Sequence, residues 1–424
     1  MSLAASGRDA EIAASAGIGT RPQSVESRTS WIVAATVLGI MSLSFGAPLV
    51  AVVGLQPIAK ALGGERSVPA LAYSLAWLGT ALGGFAMGRV AERIGARWTV
   101  MFGASMIGAG LVVSTLGGAF ALYLGHGLLI GLIGNAGINA PLYVYVSRWF
   151  DRRRGTALAL ISSGQYIAGV LWPAIFERGI AELGWRQTMA LFALLEVAIV
   201  VPAAGLVLRA PPDTAPLGAV AHGPVAGKPV LGLNANLALA LLAAAGFMCC
   251  VPMAMPQGHL VAFCGDLGIA PVRGALMLSL LLGCAFVSRQ VWGLISDRIG
   301  GLRTILAASA CQAAAMAAFL VTQDEVGLFV VSAGFGFGFS GLIPAYVLAI
   351  RDLFPAAEAG KRIPTFFVFS GSGMAAGGWL AGAIYDRVGF YAPAFGVGLV
   401  FNLMNLALVG FLVARQRRHR LRML

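Results

Sequence analysis

Apolar runs of about 20 residues, separated by short polar connections, recur along nearly the whole chain, and this pattern leaves few folds open. Each run is long enough to cross a hydrocarbon core of about 30 Å as a helix. About twelve are present, over 31–54, 69–88, 98–117, 120–147, 156–176, 187–208, 236–262, 274–296, 304–321, 326–350, 363–384 and 392–414. Composition agrees: the 424 residues are 58% hydrophobic and 11% charged, a profile that soluble domains of this length do not show. The expected fold is an all-α protein of the lipid bilayer.

A net charge of +12 could suggest nucleic acid, so its placement matters. With the N-terminus inside, 22 of the 29 Lys and Arg fall on the inner connections and tails, 6 fall on the outer ones, and Arg289 alone lies within a run. That asymmetry is the positive-inside pattern, so we expect both termini in the cytoplasm and no nucleic-acid partner. Residues 1–30 are Ala/Ser-rich and read as a disordered tail. No cleavable signal is expected, because the first apolar run is too long for a signal's central region. Pro and Gly mark 209–235 as a linker between six-helix halves at 31–208 and 236–414, and 415–424 is a basic tail.

The halves look related. "GRVAERIGAR" from Gly88 follows the second run and "GLISDRIGGLR" from Gly293 follows the eighth, 205 residues later. The same offset pairs Gly155 with Gly360 and Gly184 with Gly389, which points to an internal repeat. The two G-x-x-x-[DE]-R-x-G turns resemble the signature loop of the major facilitator superfamily, and the resemblance covers essentially the whole chain. "RWFDRRRGTALAL", "GWR" and "HLVAFCGDLGI" (His259–Ile269) resemble, more narrowly, the branch of oxalate/formate antiporters and monocarboxylate transporters. The resemblance implies twelve helices in two pseudo-symmetric halves that rock about a central site.

Gly88, Glu92, Arg93, Gly95 and Arg97, with Gly293, Asp297, Arg298, Gly300 and Arg303, then form a candidate cytoplasmic gate. Glu92 and Asp297 would face the positive N-termini of the eleventh and fifth helices, helped by Arg152–Arg154 and Lys361–Arg362. Glu92 departs from the family's usual Asp. Tyr143 and Tyr346 are expected to form a thin gate nearby. Gly84/Gly88, Gly127/Gly131, Gly334/Gly338, Gly373/Gly377 and Gly378/Gly382 are each four apart and suit close, sliding helix contacts.

Residues that carry chemistry are few. The five cysteines show no CxxC, His126 and His259 have no partners at ligand spacing, and no phosphate loop or nucleophile arrangement is present. Neither an enzyme nor a metal or other cofactor is expected. Arg289 stands out. It lies eight residues before Asp297, about 12 Å into the membrane at ~1.5 Å per residue, where it needs water or an anion to offset burial. Gly84 occupies the equivalent place in the first half, so the fold does not require a cation there.

On helices that the superfamily places around the cavity, Asn139, Gln165, Tyr166, Ser340 and Ser370 lie at similar depth, and the resemblance adds His259 near the outer face. One fixed cation among neutral hydrogen-bonding groups suits a small monoanion. The oxalate transporters use a second cation inside the eleventh helix, where this chain has only Lys361 at the edge, so a dianion is disfavoured. Ala285 stands where the animal monocarboxylate transporters carry an Asp, and the sequence leaves a coupling proton open. Glu196, on a helix expected to be peripheral, reads equally as a proton site or a helix–helix contact. The function expected is a monomeric inner-membrane secondary transporter of a small organic anion, a monocarboxylate, by alternating access. A transporter of uncharged or cationic compounds and a non-transporting sensor are the rival readings.

Overall fold

The computed structural model describes residues 24–211 and 230–421. Twelve helices among them are long and apolar enough to cross a membrane. They are α1 (Arg28–Val53), α2 (Ser67–Ile94), α3 (Ala96–Leu116), α4 (Ala119–Ser147), α5 (Arg154–Leu183), α6 (Trp185–Val207), α7 (Ala235–Asp266), α8 (Pro271–Ile299), α9 (Gly301–Val321), α10 (Glu325–Leu353), α11 (Lys361–Val388) and α12 (Ala392–Arg418). Most of the expected tail at 1–30 and linker at 209–235 lies outside the described residues.

Local chemistry moves several boundaries. Ser27 caps α1 through Ser30, so the helix starts within the expected tail. The C-terminal basic stretch continues the α12 helix to Leu421. The signature segments are less turn-like than expected. Gly88, Glu92 and Arg93 still belong to α2, and Gly293, Asp297 and Arg298 to α8. Nothing breaks either helix until Gly95 (φ 86°) and Gly300 (φ 80°), whose left-handed backbone a side chain would strain.

Several spans are interrupted. In α1, Pro48 cannot return a hydrogen bond to the Ser44 carbonyl, and the helix breaks at Phe45–Gly46. Span α4 runs as a π-helix from Leu124 to Asn135, α5 breaks at Ser163, and α10 breaks at Ser340–Gly341. The 205-residue offset pairs Asn135 with Ser340, so α4 and α10 change geometry at matching places.

The halves meet along α2–α11 and α5–α8. A Cβ on Gly371 would come within 2.5 Å of Ala81, and one on Gly169 within 2.1 Å of Leu282, so only glycine permits these approaches. Gly378 and Gly382 pack on α2, Gly373 and Gly377 on α7, and Gly127 and Gly131 on α2. Two expected pairs do not behave this way: Gly88 and Gly334 face open space, because each lies on a part of its helix with no neighbour opposite.

Candidate functional site

A cavity opens beside the α1 and α5 breaks and the end of the α4 π-helix, with no residue of α10 on its wall. Its wall comes from Phe45, Pro48 and Leu49 of α1, Tyr73, Ala76, Trp77 and Thr80 of α2, Asn135 of α4, Gln165 and Tyr166 of α5, Gln257 of α7 and Leu282 of α8. Of the residues expected in the site, Gln165 and Tyr166 are on this wall. Asn139 is only half-buried and is absent from it; Asn135, one turn earlier, takes the place, because the π-helix ends there. The Asn135 Oδ1 and Trp77 Nε1 atoms are buried beside the cavity without a protein partner.

Arg289 sits where α8 meets α5. At the α5 break, the Tyr166 N–H turns to the Ser163 carbonyl, leaving the Ser162 carbonyl open. Arg289 Nη1 donates to that oxygen at 3.4 Å and to Ser162 Oγ at 3.3 Å, both long contacts. Its guanidinium carbon lies 4.8 Å from the centroid of the Tyr166 ring. Its Nε is buried without an acceptor, and among the described residues no carboxylate pairs with it. A charged fork is therefore held next to the cavity with donor capacity to spare.

Three expected site residues lie elsewhere. Ser340 is buried against α8, 2.5 Å from Ser288 Oγ. Ser370 donates to Phe367 of its own helix and is 4% exposed. Both serines turn into helix packing, where a small hydroxyl satisfies itself. His259 is 1% exposed, with Nε2 donating to the Gly378 carbonyl at 2.8 Å and Nδ1 3.0 Å from the Tyr391 hydroxyl, so both nitrogens are engaged.

His259 belongs instead to a cluster at the end of the bundle opposite the signature segments. Arg66, at the start of α2, makes a bidentate ion pair with Asp266 at the end of α7, and its Nη1 reaches Tyr391 at 3.1 Å. Its guanidinium also lies over Tyr385, 3.7 Å from the ring centroid. The Asp386 carboxylate accepts from the backbone N–H groups of Arg66 and Ser67, capping α2 from the other half. Gln56 donates to Ala262 and Asp266. Burial works against the Arg66 charge, but Asp266 and Tyr391 outweigh it and raise its pKa; burial also pushes the Tyr391 phenol up. This latch was absent from the sequence reading. Its signal was complementary charge at the end expected to be outer: Arg66 is among the few cations placed there, and Asp266 and Asp386 lie near helix ends on the same side.

The expected gate at the signature end is not formed. Glu92, Arg93, Gly95, Arg97, Asp297, Arg298 and Arg303 are exposed, and among the described residues neither Glu92 nor Asp297 has an ion pair or side-chain hydrogen bond. Two of the basic side chains meant to help are engaged locally: Arg154 Nε donates to the Ser147 carbonyl, and Arg362 pairs with Glu358 at 2.6 Å, whereas Arg153 contributes only its backbone N–H, to Glu26. Tyr143 is half-buried. Tyr346 is fully buried, donating to Asn405 at 2.7 Å and stacked on Phe366, so it is packing and not a thin gate.

The major facilitator superfamily model matches residues 32–324 and, in a second alignment, 254–422. The chain belongs to the major facilitator superfamily. Among similar proteins, the MFS-type transporter 1 of Ophiocordyceps sp. is 25% identical over 66% of this chain, which spans only 61% of that relative. Monocarboxylate transporter 13 of Rattus norvegicus is 27% identical over 74% of this chain and 72% of its own. A bacterial homolog of the human lysosomal transporter Spinster, solved inward-facing and occupied, superposes with a TM-score of 0.72 at 14% identity, over 92% of this chain and 98% of its own. This superfamily member is thus a multi-pass membrane transporter and not an enzyme.

Proposed function

We propose that the protein carries a small organic anion, a monocarboxylate, across the inner (plasma) membrane by alternating access, as a monomer with both termini in the cytoplasm. The observation that carries the reading is Arg289: a cation on the half interface, beside the cavity, with no carboxylate partner among the described residues and a buried Nε without an acceptor. A carboxylate would take two parallel N–H donors from it, and Asn135, Gln165 and Thr80 offer neutral hydrogen bonds nearby. The charge asymmetry supports the orientation.

Binding of small organic acids to purified protein tests the assignment. Arg289→Gln should lose about 1.5–3 kcal/mol, roughly ten- to a hundredfold in affinity, and Arg289→Lys should lose less, because the charge survives while the fork does not. Full affinity in a well-folded Arg289→Gln protein would refute the carboxylate role. The aromatic wall of Phe45, Tyr73 and Trp77 favours a second reading, an uncharged compound of the kind a drug-efflux carrier moves. Organic acids that fail to compete with such a compound would support it.

A further inference from the structure

Among the described residues, Glu196 is the one carboxylate near the middle of a first-half span that the site leaves unused. It lies near the middle of α6 and is 0% exposed, although Leu194 and Leu195 beside it face outward. Ser44 Oγ donates to its Oε1 at 2.6 Å, and its Oε2 is buried with no partner. The 205-residue offset places Phe401 at the equivalent position of α12, so the fold does not require an acid here. A carboxylate with one hydrogen bond in apolar packing pays a large desolvation cost, which a proton on Oε2 removes.

Its surroundings offer no other charge to balance it. On the elements packed against α6, the charged and titratable residues are Arg28 of α1, Arg97 of α3, and Arg154, Tyr166, Glu177, Arg178 and Glu182 of α5. With Arg186 on α6 itself, none of them has a hydrogen bond or ion pair to Glu196. Ser44 does, and Ser44 is the last residue before the α1 break. The break is held open by its neighbours. Trp172 Nε1 donates to the Ser42 carbonyl at 2.8 Å, and a Cβ on Gly46 would come within 2.8 Å of Trp172 and Phe192. The next residue after Ser44, Phe45, is on the cavity wall.

We propose that Glu196 is a proton-binding site of this transporter, loaded and unloaded through the α1 break at Ser44–Gly46. In the conformation described here the carboxyl is fully buried, and the Ser44 that holds it adjoins Phe45 on the cavity wall. When α1 moves at the break, the Glu196 O–H bond breaks and the proton passes to cavity water, leaving the carboxylate to be reprotonated from the other side. Resting on the anion reading above, one proton would accompany each monocarboxylate and the cycle would carry no net charge.

Two measurements test this, and they fail separately. The first needs no substrate: infrared spectra of purified wild type and Glu196→Gln at neutral pH, in H2O and D2O. A deuterium-sensitive C=O band of a protonated carboxyl should be present in wild type and absent from the variant; its persistence in the variant, or its absence from wild type, would overturn the proposal. The second uses proteoliposomes with pyruvate as the probe. For wild type, a gradient of ~1 pH unit should sustain about a tenfold accumulation. Glu196→Gln should fall to no accumulation while keeping pyruvate exchange, and accumulation equal to wild type would again overturn the proposal. Wild type that binds and moves no pyruvate would count against the anion reading, and the infrared band would still decide Glu196. Ser44→Ala, which keeps the carboxyl but removes its donor, should retain the band at a shifted frequency; an unmoved band would dissociate Glu196 from the break.

Discussion

The two ends of the bundle are built from the same repeat and yet differ in what holds them. At the end carrying the α1–α2 and α11–α12 connections, Arg66, Gln56, Asp266, Asp386 and Tyr391 tie the halves together, with the Arg66 side chain 12% exposed and the Asp266 and Asp386 carboxylates open to water. At the other end, the repeated acidic residues Glu92 and Asp297 are exposed and, among the described residues, paired with nothing. The lesson is energetic. Contacts that span the halves bias one conformation only where they form, so the signature residues contribute little to the state seen here and the latch contributes much. In the alternating-access reading, an exchange of these roles would accompany the opposite state.

The sharpest way to break the contrast is to remove the latch. Asp266→Asn leaves Arg66 facing a neutral partner and should destabilise the closed end by about 1.5–3 kcal/mol, a ten- to a hundredfold shift in population. With the five native cysteines replaced, labelling of a cysteine placed at Gln257 by an impermeant reagent applied from that end would report it. An unchanged rate in a folded variant would mean that α2–α11 packing alone closes the molecule. Tyr391→Phe should act in the same direction but less, about 0.5–1.5 kcal/mol, because it removes one neutral and one charge-assisted hydrogen bond and keeps the ring against Phe395. A larger effect than Asp266→Asn would move the centre of the latch from the ion pair to His259 and Tyr391. The smallest effect belongs to Asp297→Asn. If Asp297 serves only the opposite state, labelling at Gln257 should hardly change, whereas transport turnover should fall; a marked change in labelling would show that the exposed end already contributes.

The twelve spans, their division into two sets of six and the isolation of Arg289 were legible in the sequence, because a run of apolar residues against hydrocarbon is a local property and a charge within one is conspicuous. The repeat was legible for the same reason: Gly95 and Gly300 obey a local backbone constraint that survives in the sequence. What could not be read was which polar residues face which neighbours. Depth along ideal helices selects Asn139, Ser340 and Ser370, but the π-helix in α4 and the break in α10 displace the faces of the first two, and Ser370, on the continuous α11 helix, turns its hydroxyl back to Phe367. Arg66 and Asp266 are 200 residues apart, and Ser44 and Glu196 are 152 apart; these pairs exist only because packing brings their helices together. Hydropathy and turn chemistry, being local, determined that the described residues form twelve helices fit to cross a membrane and where the chain turns. Helix packing alone, through glycine approaches and broken spans, decided which of its few polar groups meet across the two halves.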